Sequence, residues 1–463
     1  MVASPNLTLN ITPPGGATTN YAANLTWSGA SQTPTIMQNF GRQGDTALLV
    51  LTDDWAGLST PHFYIPVLSQ VQMIDNTIGQ TIFAGVISDP QQLVAGANIN
   101  EWILQCTDYT YYADNAIVHG IFDGLTADQI IIALTKQANC GISAASIANG
   151  GFVAPAPVLA QVVLNYTTLS SAWRTLAQLA GSVTPYGWYV DEQRRLHFFD
   201  PTTALSSGVT VTTTPTSAGA GSATECHLGE DTQFSYEWDG GSIRNRIIIQ
   251  GANQTFTADL KKAPTDTWVG NGVQNSWPLR YTVTGNPALV VGGKSTSLTV
   301  ATGGQTSTAP WVVQQNAFGQ WFLIAQSAPG AGVVVKIWYD YLAPVVAQAN
   351  DIASQVTYTG PNGGVYTEYI NDSSLTTVPM ALARAMRERT EYAFAAERTT
   401  FNTTEEFIGY IRAGQTFQYV NRFVPDAQAG YTWGINDSFI TISNTVTFTR
   451  GGYRTMNITG VRL

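Results

Sequence analysis

From Asp45 onward the chain is a succession of short apolar runs cut by turn residues, and this rhythm restricts it to a strand-rich fold. TALLVLTDD, FYIPVLSQVQMI, QTIFAGVISD and EWILQCTDYT follow one another between residues 46 and 110. Their apolar runs are short and bounded by turn residues, the pattern of a small β-barrel or sandwich. Gly79 in DNTIGQ falls where a hairpin turn needs a left-handed backbone. A second strand-rich stretch runs from FSYEWDGGSIRNRIIIQG through WPLRYTV, ALVVGGKSTSLTVA and WVVQQNAFGQWFLIAQ to GVVVKIWYDYLAPVV. Within it Val333–Val335 and Ile337–Tyr339 predict a strongly buried strand. GYIRAGQTFQYVNRF, YTWGINDSFITISNTVTFTRGG and YRTMNITGVRL are further strands, and the last of them, reaching Leu463, is expected to pair within a barrel.

Three segments break this rhythm. TADQIIIALTKQANCG reads as a helix with Thr126 as N-cap, Gly141 as C-cap and Ile130, Ile131, Leu134 and Ala138 on one face. A second helix covers about 168–180, where Leu169, Trp173, Leu176 and Leu179 or Ala180 share a face. PMALARAMRERTEYAFAAER predicts a long helix over 379–398, with Pro379 in its first turn. Leu382, Met386, Tyr392 and Ala396 would line its apolar side, and Arg387 and Glu391 form an i,i+4 pair. After the second helix, GWYVDEQRRLHFFDP reads as a hairpin: Trp188 to Val190, a charged turn at Asp191–Arg195, then Leu196 to Phe199.

The expected class is therefore mainly β with small α/β insertions. The division is an N-terminal arm or docking segment (1–44), a first β-barrel (45–119) and a small α/β domain with the aromatic hairpin (120–225). A β-rich domain (226–345), part of it an open candidate for the second barrel, follows. An α/β segment with the long helix (346–400) precedes C-terminal strands that complete the second barrel (401–463). Residues 202–225, rich in Thr, Ser and Gly, read as a connector or exposed loop.

Composition narrows the function. Charged residues are 11% of the chain, against roughly 25% in ordinary globular proteins. With 21 Lys and Arg against 31 Asp and Glu, the net charge of -10 leaves no electrostatic footprint for specific nucleic-acid binding. Twenty Tyr, 18 Phe and 12 Trp on so neutral a chain suit a subunit whose surface is covered by neighbours. The three cysteines, Cys106, Cys140 and Cys226, make neither a metal spacing nor a disulfide framework. The N-terminal stretch has no signal-peptide pattern, and no run approaches the ~20 apolar residues of a membrane helix. Synthesis in a cytoplasm is expected.

No strong catalytic motif is present. His62, His119, His197 and His227 form no HExxH, and His197 reads as core or interface packing. His119 with Asp123 is a weak metal candidate. GGFVAP and GPNGG lack the lysine of a phosphate loop and read as loops. Asp53 and Asp54 read as a turn, Glu405 and Glu406 as a short helix or turn, and Asp351 and Asp372 as no compact calcium loop. No catalytic, cofactor-binding or metal residue is therefore assigned, and no cofactor is expected. Arg244 and Arg246 alternate on one strand face and are candidates for an inter-domain or inter-subunit bridge, with a plain exposed strand start as the alternative. Trp268, Trp277 and Trp321 are the aromatic candidates for carbohydrate, with core packing the alternative.

The order EWILQCTDYTYYADN, TADQIIIALTKQA, LNYTTLSSAWRTLAQLAGSVTPYGWYVDEQRRLHFFDP and IRNRIIIQG resembles the baseplate-hub and tail-tip proteins of tailed bacteriophages. It is carried by Trp102, Asp108 and Tyr109, by Trp188 to Asp191 and Leu196 to Phe199, and by Asn245 with Arg246, and covers about 45–463. The resemblance implies a virion protein of the tail tip, made in the host bacterial cytoplasm. It implies a homotrimer with two related β-barrels per subunit, forming a pseudo-six-fold ring that adapts tube symmetry to the tip and lines the DNA exit channel. Implied partners are the tail tube or distal tail ring protein, a central fibre or tip protein and the tape measure protein. DNA would pass without specific binding, and this chain would not insert into a membrane. The alternatives are a distal tail ring protein, a receptor- or carbohydrate-binding tail protein and, last, a glycan hydrolase.

Overall fold

The computed structural model describes the chain except for residues 1–6, 27–33, 42–43, 57–61, 97, 147–151, 160, 181–185, 215–221, 230–232, 302–308, 361–362, 374, 405, 427–431 and 449–453. The chain is mainly β with small α/β insertions, and it divides into two compact units. The first comprises Met1–Arg246, Asn350–Tyr366 and Met386–Leu463, and the second Ile247–Ala349 and Thr367–Ala385.

A fourteen-stranded sheet dominates the first unit. Its N-terminal half runs, strand beside strand, from Thr35–Asn39 to Thr46–Asp54, Ile99–Asp108, Gln80–Gly96, Gln70–Asp75 and Leu7–Thr12, every pair antiparallel. Inward and outward residues alternate, as in Leu7, Leu9 and Ile11, which are buried between half-buried polar neighbours. Gly79 has φ +65 in the turn before Gln80, the conformation expected of it. The C-terminal half centres on Thr432–Phe448, which pairs with Thr416–Asp426 along its first part and with Arg454–Arg462. Beyond Arg454–Arg462 come Ala396–Asn402 and then Phe234–Asp239. The two halves join where Thr432–Phe448 changes neighbour: past Ile440 it pairs with Thr35–Asn39, in register from Ser443 opposite Asn39 to Thr447 opposite Thr35. One apolar core serves both halves, with Leu9, Leu49, Met73 and Leu104 from one and Phe417, Phe439, Val446 and Ile458 from the other.

Some sequence expectations change here. Instead of an arm reaching toward another chain, Leu7–Thr12 and Thr35–Asn39 lie inside the sheet, because their alternating apolar residues complete its core. Ser206–Thr212, expected in a connector, is a strand parallel to Thr416–Asp426, with Val209 and Val211 buried. The long helix ends at Tyr392, and Ala396–Asn402 is a strand. Neighbouring strands on both sides of Glu397, Thr399 and Phe401 outweigh the helical tendency of the AAER run. The helix is also turned over: Ala381, Ala385, Arg387 and Glu388 are buried, whereas Leu382 and Met386 are exposed. Arg387 bonds Glu388 at 2.9 Å, so the inward charges neutralise each other.

The α/β domain packs the helices Ala127–Ala138 and Leu169–Ala180 over a two-stranded sheet (Ile117–Asp123, Gln161–Thr168) and a three-stranded one that contains the hairpin. Ile130, Ile131, Leu134, Leu169, Trp173 and Leu176 are all buried, on the faces their spacing predicts. Gln129 accepts a hydrogen bond from the Thr126 amide at 3.2 Å at the helix start. At the other end the cap is Asn139, in the left-handed region at φ 46, two residues before the expected Gly141.

The hairpin strands Gly187–Val190 and Leu196–Phe199 are buried on both faces. Trp188, Val190, Leu196 and Phe198 face the α/β core, with Trp188 edge-on to Trp173 at 5.4 Å. Tyr189 and Phe199 face the other way, and Phe199 stacks on Phe40 from the large sheet at 5.4 Å. Gly187 permits that approach, since a Cβ there would stand 1.7 Å from the Phe40 ring.

In the second unit the strand Val334–Asn350 lies between Thr282–Val291 and Arg246–Phe256, and a separate four-stranded sheet contains Trp311–Gln315 and Trp321–Ala325. Val335 is buried between the exposed Val334 and Lys336, and Ile337, Trp338, Tyr339 and Asp340 are all buried, so this strand is covered on one face at its start and on both faces over the expected run Ile337–Tyr339.

Gly187→Ala is expected to destabilise the chain by about 1–3 kcal/mol through overpacking against Phe40. The double variant with Phe40→Ala should show a favourable coupling in chemical denaturation; additive losses would refute the contact.

Candidate functional site

A polar site lies in the first unit, where the hairpin turn meets both halves of the large sheet. It is a cleft of about 520 Å³ lined by the turn residues Asp191, Glu192 and Arg195, by His197 and Tyr189, and by Gln80, Tyr410 and Arg412. A tight turn with Arg194 at φ 61 connects the strands and brings Asp191 under its own backbone.

Asp191 Oδ1 accepts the amides of Gln193 at 2.9 Å and Arg195 at 2.8 Å. Its Oδ2 accepts from Arg195 Nε at 2.7 Å and lies 3.0 Å from His197 Nε2. Burial pushes the Asp191 carboxyl up, but the bonds from His197 and Arg195 outweigh it and hold it below the usual carboxylate range. The His197 ring is stacked on Tyr189 at 4.4 Å, with Phe152 at 4.1 Å. A histidine bonded to a carboxylate is part of a nucleophilic triad. Here the carboxylate is occupied by the turn itself and the imidazole is packed between rings, so the arrangement fixes the hairpin.

Arg412 links this turn to the sheet. Its guanidinium lies 4.6 Å from the Tyr189 ring centre, pairs with Glu192, bonds Asp45 Oδ2 at 3.0 Å and reaches the Val190 carbonyl at 3.3 Å. Asp45 also accepts the Asn39 amide at 2.9 Å. One cation from the C-terminal half therefore holds an acid of the N-terminal half and an acid of the hairpin. Arg454 repeats the device: it pairs with Asp75 and donates to the carbonyls of Ile408 at 2.8 Å and Gly409 at 2.7 Å. Burial lowers the Arg454 guanidinium to about 10. Tyr410, two residues before Arg412, donates to Gln38 Oε1 at 2.9 Å. Sequence reading passed over Arg412 and Arg454, because an arginine among strand residues carries no mark of the distant acid it meets.

The other sequence candidates are scattered. His62 Nδ1 lies 2.7 Å from Asp53, which is fully buried at the end of its strand rather than in a turn. His119 is exposed and packs against Tyr166 at 4.9 Å. His227 is exposed in a short strand. Asp351 caps a short helix by accepting the Ser354 amide at 2.9 Å. Arg244 donates to the carbonyls of Gly241 and Ile243, and Arg246 to Asn350 at 3.2 Å. Trp277 and Trp321 are buried, and Trp268 is packed against the same core, which places all three as packing. Glu405 and parts of the two glycine-rich loops lie outside the described residues. Among the described residues no helix is long and apolar enough to cross a membrane.

No family model matches this sequence, and no curated protein matches it. Solved structures do match its fold. The chain superposes on the 43 kDa tail protein of prophage MuSo2 from Shewanella oneidensis with a TM-score of 0.54 at 11% identity, covering 98% of each chain. It superposes on a tail protein from Neisseria meningitidis MC58 with a TM-score of 0.51 at 10% identity, over 98% of this chain and 96% of that one. The resemblance to tail proteins expected from the sequence thus holds for the fold along nearly the whole chain.

Replacing Arg412 by Met should cost about 3–5 kcal/mol, because the buried Asp45 and the half-buried Glu192 would lose their cation. Arg195→Met, at a side chain 42% exposed, should cost less than about 1 kcal/mol. Chemical denaturation of the two variants side by side checks the contrast; equal losses would show that Arg412 is not the joint.

Proposed function

We propose that this chain is a structural component of a phage tail, a hub subunit of the baseplate or tail tip. The observation that carries the reading is a fold shared with two tail proteins over at least 96% of every chain compared. Two further features favour a structural role. The polar groups of the cleft are engaged with one another, and the chain's distant ends meet in one sheet. Such a fold is suited to carrying load between neighbours.

In this reading the subunit acts as a homotrimer, and the two halves of its large sheet are the two related barrels of a pseudo-six-fold ring. The ring joins the tail tube or a distal tail ring to a central fibre or tip protein, and the tape measure and DNA pass through it without specific binding. Large exposed side chains such as Trp433, Phe423 and Tyr64 are available for the contacts between subunits and with tail partners. The acidic excess of the chain agrees with a channel that does not retain phosphates.

Electron microscopy of tail tips that carry a tagged copy of this chain tests the proposal. Three copies coaxial with the tube are expected. Six equivalent copies would favour the distal ring, and absence of the tag from purified tails would remove the tail assignment altogether.

A further inference from the structure

Behind the Arg412 contact lies a second carboxylate that the joint does not use. Asp108 ends the strand Ile99–Asp108, is 5% exposed, and sits beside Asp45 because its amide donates to the Asp45 carbonyl at 2.9 Å. Its Oδ1 accepts the Thr110 amide at 2.9 Å. Gly44 closes over the same oxygen, since a Cβ there would stand 2.8 Å from it. The junction thus contains Asp45, Asp108 and Glu192, while Arg412 reaches only Asp45 and Glu192. The other titratable groups lining the cleft are Tyr410 and Tyr189, with Asp191, Arg195 and His197 bonded to one another in the turn. Arg194 is occupied over the rings of Tyr109 and Tyr112, at 4.6 Å and 5.6 Å.

We propose that Asp45, Asp108 and Arg412 form a proton-controlled latch: a proton held by Asp108, next to the Asp45 that Arg412 binds, keeps the hairpin and both halves of the sheet together, and its loss loosens their junction. With the proton present, Arg412 faces two negative charges from its partners and Asp108 is neutral. Without it, Asp108 carries a second buried charge near that of Asp45, where one guanidinium is already shared. Burial, and then the Asp45 charge, push the Asp108 carboxyl up to about 7, and burial likewise raises Asp45 against the pull of Arg412. A carboxyl raised by folding stabilises the closed state fully below its ordinary value near 3.8. That contribution falls away as pH rises through about 7. The latch is therefore closed in mild acid and weakened in mild base, and the segments it releases first are the Asp191–Arg195 turn and the Phe40 contact.

Hydrogen exchange of the full chain between pH 5.5 and 8.5, corrected for intrinsic amide chemistry, reads the latch at the amides of Arg194, Arg195 and Phe40. In the wild type their opening should increase at least about tenfold across this range. In Asp108→Asn, which keeps the oxygen facing Thr110, it should stay flat. The same pH response in Asp108→Asn would overturn the proposal. So would an equal response at the strand Trp321–Ala325 of the second unit, which would mark a general loss of stability. Should Asp108→Asn not fold, Asp45→Asn serves: removing the neighbouring charge should move the transition to lower pH, and an unmoved transition would overturn the latch.

Discussion

The pairing of Thr35–Asn39 with the second part of Thr432–Phe448 is the constraint on which the first unit depends. Without it the N-terminal and C-terminal strands would be two sheets, each with an open edge and half a core. With it, the edge vacated where Thr416–Asp426 ends is filled by a strand from roughly 400 residues earlier. Gln38 and Asn421 are buried along this region, where Gln38 donates to the Ile82 carbonyl at 3.3 Å and Asn421 to the Tyr419 hydroxyl at 2.7 Å, so their burial is compensated by bonds within the assembled sheet. Asn444 bonds the Ile411 carbonyl at 2.8 Å, and the Phe40 amide bonds the Ile442 carbonyl at 3.0 Å, so the seam is closed on both sides.

The buried arginines add specificity to that seam. Apolar contact alone would tolerate a slip along the strands, but Arg412 must meet Asp45 and Glu192, and Arg454 must meet Asp75. A one-residue slip would leave each cation buried without its acid, a penalty of several kcal/mol. Arg462 makes a third such knot within the C-terminal half, bonding Glu397 at 2.9 Å and Asp426 and Asp437 at 2.8 Å. On a chain with only 21 basic residues, placing three in the interior of one sheet is a concentrated use of charge.

The aromatic hairpin shows how charge can imitate catalysis. Asp191, Arg195 and His197 have the residue types of an active site, but every polar contact among them returns to the turn or to its neighbour. Their product is a rigid ribbon with aromatic residues on two faces, one for the α/β core and one for the sheet. That rigidity gives Arg412 a fixed acid, Glu192, and so couples a small domain to a large sheet.

Local signals were legible in the sequence because they are local in their physics. The periods of Thr46–Asp54, of Ala127–Ala138 and of Leu169–Ala180, the Gly79 turn and the two-faced hairpin all follow from side-chain spacing and backbone freedom within a few residues. The mainly-β class and the likeness to tail proteins came from the order of those segments. Hidden in the sequence were the destination of Ser206–Thr212, the early end of the Val378–Tyr392 helix with its inverted face, and the acids met by Arg412 and Arg454. Each depends on a strand or charge far away along the chain. A strand records which of its faces is apolar but not which neighbour will pair with it, and a buried arginine does not record the position of its acid. The sequence by itself determined the elements and their class; only the tertiary structure decided the seam that unites them, because hydrogen-bonded edges and buried charges acquire partners only when the chain has closed.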